Sequence, residues 1–393
     1  MKQGILTINA GSSSIKFALF PLAHPLSPEA EVSGQIDGIG TRETRMVAKN
    51  RAGERIADQH LDGSQVSHTQ AFDALLRWFT ASQADWRIVA VGHRIVHGGD
   101  RYSQPIRLDA AAIEQLDRYV PLAPLHQPHN VAGVRALQEL LPEVPQVACF
   151  DTAFHRSQPE IAQLFGLPRS ITAEGIKRYG FHGLSYEYIA RALPEHSSRA
   201  EGRVVVAHLG NGASMAAMVG RKGVATTLGF STIDGLVMGT RCGALDPGVV
   251  LHLMETKGLG VKEMTQMLYK ESGLLGVSGI SQDMRTLLAS DKPEAQQAVD
   301  LFCYRIVREL GSLAASAGGL DALVFTGGIG EHAAEVRRRV CLQCAWLGIH
   351  LNPEANARHD LRISAHNSNV DVLVIPTNEE WMIAHHAQTL LGL

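Results

Sequence analysis

The sequence predicts an α/β protein in which one plan of strands and helices is used twice. Strand-like and helix-like segments alternate along the chain, which is typical of sheets covered by helices. Two similar glycine turns, within 9–16 and 210–214, each follow a buried strand and lie about one domain length apart. A third glycine run, 327–331, follows a strand and opens a helical stretch. This recurrence suggests an internal duplication with a ligand between the halves.

The elements of the first half follow from apolar periodicity and turn residues. Residues 4–20 predict a hairpin, and the helical spacing of Phe72, Leu75 and Phe79 predicts a helix over 68–82. The other predicted elements are, in order, a strand at 31–36, a polar strand-and-turn region at 40–63, a strand at 88–94, helices at 109–119 and 129–141 around a proline-rich loop at 121–128, and a strand at 146–150.

The second half repeats this plan of strands followed by helices. Its predicted elements are strands at 203–209, 214–220 and 224–228, helices at 247–257 and 260–270, a flexible glycine loop at 273–279, a long helix at 294–317, a strand at 322–326, a helix at 331–345, a strand at 370–376 and a last helix at 379–391. No low-complexity linker separates the halves, so the predicted domains are 1–152 and 153–378, with a hinge near residue 152.

Composition is that of an ordinary globular protein. Of 393 residues, 45% are hydrophobic and 19% charged, which is enough apolar material for two cores. A net charge of −3 gives no basic field for nucleic acid or a membrane, and no apolar run approaches the ~20 residues of a membrane span. No stretch has signal-peptide form, so we expect a cytoplasmic protein. The odd number of cysteines, five, argues for reduced thiols rather than a disulfide framework. We interpret Cys341 and Cys344 as packing residues of a helical segment.

The first glycine turn carries the groups that hold phosphate. Gly11 permits close backbone approach, Ser12 and Ser14 offer hydroxyls, and Lys16 adds a point charge. The alternative is a polar turn between two strands, because an apolar run follows at 17–20. The pattern lacks the second glycine and the following helix of a Walker-type loop, so it indicates a different way of holding phosphate.

Eight short motifs, taken together, carry a resemblance to one family. They lie at 9–16, 93–99, 150–155, 179–183, 208–212, 238–241, 325–331 and 376–380. In this order, and over nearly the whole chain, they resemble the acetate kinase family of short-chain acyl kinases. The resemblance implies two duplicated actin-like (ribonuclease H-like) domains with a nucleotide cleft between them. It also implies that the C-terminal helix, 379–393, packs back on the first domain and that the second domain binds nucleotide.

The resemblance implies reversible, Mg²⁺-dependent transfer of the ATP γ-phosphoryl group to acetate, in line, giving acetyl phosphate and ADP. Arg94 would bind the acyl carboxylate, and Arg241 would stabilise the phosphoryl group during transfer. His182 would donate to that group, and Asp151 would orient the arginine or the substrate. From the residues alone the alternatives are ordinary surface ion pairs for the arginines, a core histidine, and a helix N-cap for Asp151.

The resemblance also implies the binding residues. The acyl pocket would include Val96, Leu125 and Phe181. The metal, Mg²⁺ or Mn²⁺ in its place, would meet Asn9 and Glu379, with Glu380 distinguished only by alignment of the motif. The nucleotide, ATP or ADP, would meet Ser12, Ser14, Lys16, His208, Leu209, Gly210, Asn211, Gly212, Asp283, Met284, Arg285, Gly328, Ile329, Gly330, Glu331 and His332.

Two positions depart from the family pattern. Thr232 stands where many acetate kinases have proline, which leaves acyl length open, and His332 replaces an asparagine, which leaves the purine contact open. A propionate kinase of the same family is therefore the nearest alternative, since one methylene is worth only ~1–3 kcal/mol. A non-catalytic actin-like nucleotide switch is the alternative of another class. A homodimer built through the second domain is implied by the resemblance.

Overall fold

The computed structural model describes residues 1–61 and 65–393. It divides into two compact units, Met1–Ala153 with Asn378–Leu393, and Phe154–Thr377. Each unit holds one sheet with helices packed against it. The end of the predicted 40–63 region lies outside the described residues, and the rest of that region contains two strands.

The first unit is built on an eight-stranded sheet in the order β5-β4-β3-β2-β1-β6-β8-β7. The pairs β1–β2, β2–β3, β3–β4 and β4–β5 are antiparallel, as is β7–β8 at the other edge. The pairs β1–β6 and β6–β8 are parallel. The bounds are β1 Lys2–Ala10, β2 Ser14–Pro21, β3 Val32–Asp37, β4 Arg45–Asn50, β5 Arg55–His60, β6 Trp86–Ile95, β7 Ile106–Arg107 and β8 Gln146–Phe150.

Helices α1 (His68–Ser82), α2 (Ala110–Arg118) and α3 (Gln127–Leu140) pack in this unit together with the last helix of the chain, described below. Helix α1 keeps the predicted bounds because Ser67 and Gln70 form a reciprocal capping box at its start. Its buried face packs with apolar residues of β1 and β2 in one core cluster. The predicted hairpin and the predicted strand at 146–150 are confirmed.

The second unit contains a five-stranded sheet in the order β11-β10-β9-β12-β13. The bounds are β9 Arg203–Leu209, β10 Ala213–Val219, β11 Lys222–Thr226, β12 Ala322–Thr326 and β13 Asp371–Val374. The pairs β11–β10 and β10–β9 are antiparallel, and the pairs β9–β12 and β12–β13 are parallel. The strands β3-β2-β1-β6-β8 of the first sheet have the same sequence of two antiparallel and two parallel pairs. The repeated order and direction of strands agree with the internal duplication that the glycine turns suggest.

The helices of the second unit include several short ones that apolar periodicity does not predict. The helices of this unit are α4 Glu160–Gln163, α5 Arg169–Ala173, α6 Gly183–Ala192, α7 Pro247–Lys257, α8 Val261–Lys270, α9 Gly273–Ser278, α10 Met284–Leu288, α11 Pro293–Ala317, α12 Gly327–His332, α13 Ala334–Gln343 and α14 Pro353–Ala357. Among them, α7, α8 and α11 confirm the helices predicted at 247–257, 260–270 and 294–317. Short 3₁₀ turns lie at Val120–Leu122, Phe154–Ser157, Leu193–Glu195 and Ala345–Leu347.

Two sequence predictions in this unit are wrong. The segment predicted as a flexible glycine loop at 273–279 forms helix α9, whose first amides bond to carbonyls of the 238–240 turn. The helix predicted at 331–345 is split into α12 and α13, and it starts earlier because the glycine run 327–330 is itself helical.

The last helix, α15 (Glu379–Leu391), belongs to the first unit, where it packs on β6 and β1. Gly92 makes this packing possible, because a Cβ there would lie 2.5 Å from a methyl carbon of Ile383. Among the described residues, no helix is both long enough and apolar enough to cross a membrane.

Candidate active site

The first group of predicted residues lies in the first unit, around the guanidinium of Arg94. Arg94 is near the end of β6 and Asp151 directly follows β8, so parallel pairing brings both side chains to one sheet edge. The Asp151 carboxylate accepts from Nε of Arg94 at 2.9 Å and from Nη2 at 2.6 Å. The Asp151 side chain is 1% exposed and that of Arg94 is 20% exposed. This largely buried bidentate contact fixes the plane of the guanidinium.

The two predicted metal ligands lie beside the same guanidinium. Nη1 of Arg94 donates to Asn9 Oδ1 at 3.4 Å, and Nε is 4.0 Å from a carboxylate oxygen of Glu379. Burial raises the pKa of Glu379 to about 7, although the charge of Arg94 opposes the rise. Burial also disfavours the charged form of Arg94, but Asp151 and Glu379 outweigh it and raise the pKa of that guanidinium.

This pair of oxygen donors fits a phosphate-bound magnesium ion. A carboxylate and an amide oxygen are hard ligands, and Mg²⁺ in kinases usually completes its shell with substrate phosphates and water. In the described part of the chain, no three His, Cys, Asp or Glu side chains form a cluster that could hold a metal. A divalent cation beside Glu379 would offset the burial that raises the pKa of this carboxyl.

The first glycine turn joins β1 to β2 as a tight reversal. The amide of Gly11 donates to the carbonyl of Ser14 at 2.8 Å, and Asn130 holds the carbonyl of Ala10 through its side-chain amide at 2.7 Å. Ser12 and Lys16 are exposed, whereas Ser14 is half-buried. The turn therefore presents polar groups, and Asn130 of α3 fixes the backbone at its start.

The second group of predicted residues lies in the second unit, at the turn between β9 and β10. A Cβ built on Gly212 would lie 3.5 Å from Nε2 of His182 and 3.8 Å from Nη1 of Arg241. The glycine therefore leaves room between an imidazole and a guanidinium. The ring of His208, in β9, stacks on that of His182 with 4.4 Å between centroids. Hydrogen-bond donors and a positive charge converge here, as a site for a phosphoryl group requires.

The backbone of His182 is held in an unusual conformation. Its φ is 58°, in the left-handed region that few residues other than glycine adopt, and it directly precedes α6. Nδ1 lies 2.8 Å from Oγ of Ser214, and that hydroxyl also bonds to the hydroxyl of Tyr186. Sequence reasoning did not find Ser214 or Tyr186, because no local pattern reports which residues meet across two strands and a helix.

Arg241 is positioned by a turn that α9 holds. Its Nη1 donates to the carbonyl of Thr232 at 2.9 Å. The amide of Leu274 donates to the carbonyl of Met238 at 2.8 Å. Gly273, with φ of 65°, lies so close that a Cβ would stand 2.2 Å from the same Met238 carbonyl oxygen. The supposed flexible loop is thus fixed, because its amides satisfy the carbonyls of the Arg241 turn.

The third glycine run forms the short helix α12. Glu331 folds back so that its carboxylate accepts from the amide of Gly327 at 2.9 Å. The carbonyls of Gly330 and Glu331 accept from Arg337, a fully buried residue whose pKa burial lowers to about 10. Gly328 and His332 are exposed, whereas Ile329 is half-buried. The predicted adenosine contacts therefore stand on a firmly anchored turn.

The other predicted nucleotide-binding residues of the second unit lie at the start of α10 and at the end of β9. Asp283 caps α10 through the amide of Arg285 at 2.8 Å, and the two side chains form an ion pair. The Arg285 side chain is 91% exposed, and Met284 is buried. Leu209, the last residue of β9, is buried, and Asn211 in the following turn is exposed.

The predicted acyl-pocket residues differ in exposure. In the first unit Val96 is buried and its amide donates to Asn130, whereas Leu125 is 37% exposed. In the second unit Phe181 is buried, and its carbonyl oxygen lies 2.8 Å from Nε2 of His155. Their part in substrate binding remains a prediction from the resemblance.

Comparison with known proteins gives one family over the whole chain. Residues 4–385 match the acetokinase family. The chain is 54% identical to a protein of Rhodopseudomonas palustris called acetate kinase, and 49% identical to another of Methylocella silvestris. The first alignment covers 99% of both proteins, and the second covers 100% of this chain and 98% of the relative.

Solved structures agree with this result. A propionate kinase from Francisella tularensis is similar with a TM-score of 0.91 at 37% identity. An acetate kinase from Porphyromonas gingivalis is similar with a TM-score of 0.89 at 35% identity. Both comparisons cover 99% of this chain and all of the other, and the predicted α/β fold of two actin-like domains is confirmed. The chain belongs to the acetokinase family.

Proposed function

We propose that this protein is an ATP:acetate phosphotransferase, which transfers the γ-phosphoryl group of ATP to acetate reversibly and gives acetyl phosphate and ADP. The observation that carries the proposal is the convergence of His182 Nε2 and Arg241 Nη1 on Gly212. Phosphoryl transfer spreads negative charge over three oxygens, so its catalysis is mostly positioning and positive charge. The full-length similarity to proteins called acetate kinase supports the same reaction.

In the first unit, Arg94 binds the carboxylate of the acceptor. Asp151 occupies Nε and Nη2, so Nη1, whose described contact is a long one to Asn9, is the edge offered to substrate. Asp151 acts through the arginine, because it holds the guanidinium in one plane. Acetate is already ionised near neutral pH, so no base is needed to remove a proton from it.

In the second unit, Arg241 stabilises the phosphoryl group as it moves in line from donor to acceptor. His182 donates a hydrogen bond to the same group from Nε2. The nucleotide is held by residues 208–212, 283–285 and 328–332, with Ser12, Ser14 and Lys16 of the first glycine turn beside the phosphates. Each of these roles is proposed from the family motifs together with the local geometry given above.

Magnesium, or manganese in its place, would be held by Asn9 and Glu379 together with the ATP phosphates. When bound, the ion supplies positive charge that offsets the charge on the phosphates. We propose that this enzyme lies in the cytoplasm, where ATP is available to it. Cell fractionation tests this proposal.

A propionate kinase is the second candidate, because a protein of that name is as similar in structure as the acetate kinases are. A coupled assay with ATP, Mg²⁺ and a series of acetate, propionate and butyrate separates the two. We expect the highest kcat/KM with acetate. An equal or higher value with propionate would overturn the acyl assignment, and no turnover with any short acid would overturn the kinase.

We also propose a homodimer that buries helix α7 of the second unit against its copy. Helix α7 has no buried residue among those described, although its sequence is apolar. Leu251 is 67% exposed, and Val249 and Met254 are exposed on the same helix. Exposed apolar side chains on a helix without buried residues fit a protein–protein interface. Light scattering at micromolar concentration should give twice the chain mass, and Leu251→Glu should give the monomer; a wild-type monomer would contradict the proposal.

A further inference from the structure

A cluster of hydroxyl and imidazole groups surrounds His182 on the side away from Gly212. Ser214 and His208 are direct partners across the antiparallel pair β9–β10, so their side chains point to the same face of the sheet. His208 stacks on the His182 ring, and Ser214 Oγ lies 2.8 Å from Nδ1 of that ring. The ring is therefore held from its face and from its Nδ1 edge.

Tyr186 extends this contact into the interior. It lies in α6, one turn after His182, and its amide donates to the carbonyl of His182 at 3.1 Å. Its hydroxyl bonds to Ser214 Oγ, and both residues are fully buried. His182 Nδ1, Ser214 Oγ and Tyr186 OH thus form a short hydrogen-bonded chain that ends inside the unit.

The direction of this chain follows from the acidity of its members. A phenol is a stronger acid than an aliphatic hydroxyl, so Tyr186 is the better donor and Ser214 Oγ accepts from it. The single proton of the serine hydroxyl is then available for Nδ1 of His182. A neutral imidazole that accepts at Nδ1 must carry its proton on Nε2. Nε2 is the atom that faces the Gly212 position.

We propose that Ser214 and Tyr186 are positioning residues that fix neutral His182 in the tautomer with its proton on Nε2. The inference rests on the proposed role of His182 in phosphoryl transfer. In that tautomer the ring donates to the phosphoryl oxygens, whereas the other tautomer would present a lone pair to an anion. Both side chains are fully buried, so each acts through the imidazole rather than by touching substrate.

The tautomer can be read directly from ring ¹⁵N chemical shifts in protein labelled at histidine. The chain has 18 histidines, and the signal of His182 is identified by its loss in His182→Gln. Wild type should show a protonated Nε2 and an unprotonated Nδ1. A protonated Nδ1 with a bare Nε2 would overturn the proposal, and this measurement needs no variant that alters the core.

Kinetics give the second readout. Ser214→Ala should lower kcat about ten-fold, the scale of one hydrogen bond, with KM for ATP and for acetate changed less than two-fold. Tyr186→Phe should lower kcat about three-fold. The control Tyr188→Phe removes a hydroxyl from the same helix and should change neither kcat nor the His182 signal.

Unchanged kcat and unchanged ring shifts in Ser214→Ala would also overturn the proposal. If wild type makes no acetyl phosphate, the proposed function fails, and the ring spectrum still decides the tautomer. The two failures are therefore separate observations.

Discussion

The carboxylate of Asp151 spans two nitrogens of Arg94, Nε and Nη2, at distances of 2.9 and 2.6 Å. Both residues stand at the ends of neighbouring parallel strands, so the contact is set by the sheet rather than by a loop. One edge of the guanidinium is thereby committed to the protein. We propose that the remaining edge, at Nη1, binds the carboxylate that receives the phosphoryl group.

Asp151→Asn is expected to lower kcat/KM for acetate by about 10²–10³, the usual cost of one lost preorganised contact at a reacting centre. The amide keeps the size of the side chain but loses its charge, so the guanidinium is no longer held in one plane. Steady-state kinetics with varied acetate measure the effect. Asp321→Asn, which removes a carboxylate paired to Arg203 elsewhere, is the control and should retain activity. An Asp151 variant within a few-fold of wild type would remove this pair from the mechanism.

Arg241→Ala should lower kcat by a similar factor, about 10²–10³, while KM for acetate changes little. The reason is that Arg241 is proposed to meet the phosphoryl group during transfer and not the acceptor in the ground state. Arg338→Ala removes an arginine paired to Glu335 on the exposed side of α13 and should leave kcat unchanged. An effect of Arg241→Ala on KM for acetate alone would contradict the assigned role.

Gly273→Ala tests whether α9 positions Arg241. A Cβ at this residue would stand 2.2 Å from the Met238 carbonyl oxygen, so the Arg241 turn must move and kcat should fall at least ten-fold. Gly279→Ala is a close control, because it has a similar φ of 61° and nothing within 4 Å of the added Cβ. Both variants should lose about 1–2 kcal/mol from left-handed backbone strain. If the two variants lose equal activity, the close contact at Gly273 has no role in positioning.

The buried imidazole of His93 predicts a dependence of stability on pH. Burial lowers its pKa to about 4, and its Nε2 lies 2.6 Å from the Gln146 side-chain oxygen, which accepts its proton. Between pH 4 and 6.5 the unfolded chain therefore binds more protons than the native one, so the free energy of unfolding falls as pH is lowered through this window. The fall in the His93 pKa from 6.5 to about 4 corresponds to roughly 3 kcal/mol of unfolding free energy.

Urea unfolding at several pH values from 4.5 to 7 measures this slope. His93→Gln should flatten it, whereas His60→Gln, an exposed histidine of the same unit, should leave it as in wild type. An identical slope in His93→Gln would show that other groups set the acid stability.

The parts of this molecule that sequence predicts well are those set by local pattern. The hairpin at the first glycine turn, helix α1 and strand β8 follow from apolar runs, turn residues and helical spacing. The meeting of Arg94 and Asp151 agrees with parallel strands that share one carboxyl edge. The predictions of the hairpin, α1 and β8 needed no knowledge of distant contacts, whereas the link between Asp151 and the arginine came from the family resemblance.

The parts that sequence misses depend on distant partners. Gly273 is glycine because the backbone of Met238 passes against it, and neither residue reports this locally. Ser214 meets His182 only through the register of β9 with β10 and the start of α6. Arg337 resembles any helical arginine, yet it is fully buried and binds the carbonyls of α12. Tertiary packing decides such roles.

The most direct test of the proposed phosphoryl transfer is ³¹P NMR of wild-type protein with ATP, Mg²⁺ and acetate in one tube. The ADP and acetyl phosphate resonances should grow together, and both should nearly vanish with Arg241→Ala and with Asp151→Asn. Growth of ADP and inorganic phosphate without acetyl phosphate would contradict the proposed transfer, as would acetyl phosphate formed at the wild-type rate by either variant.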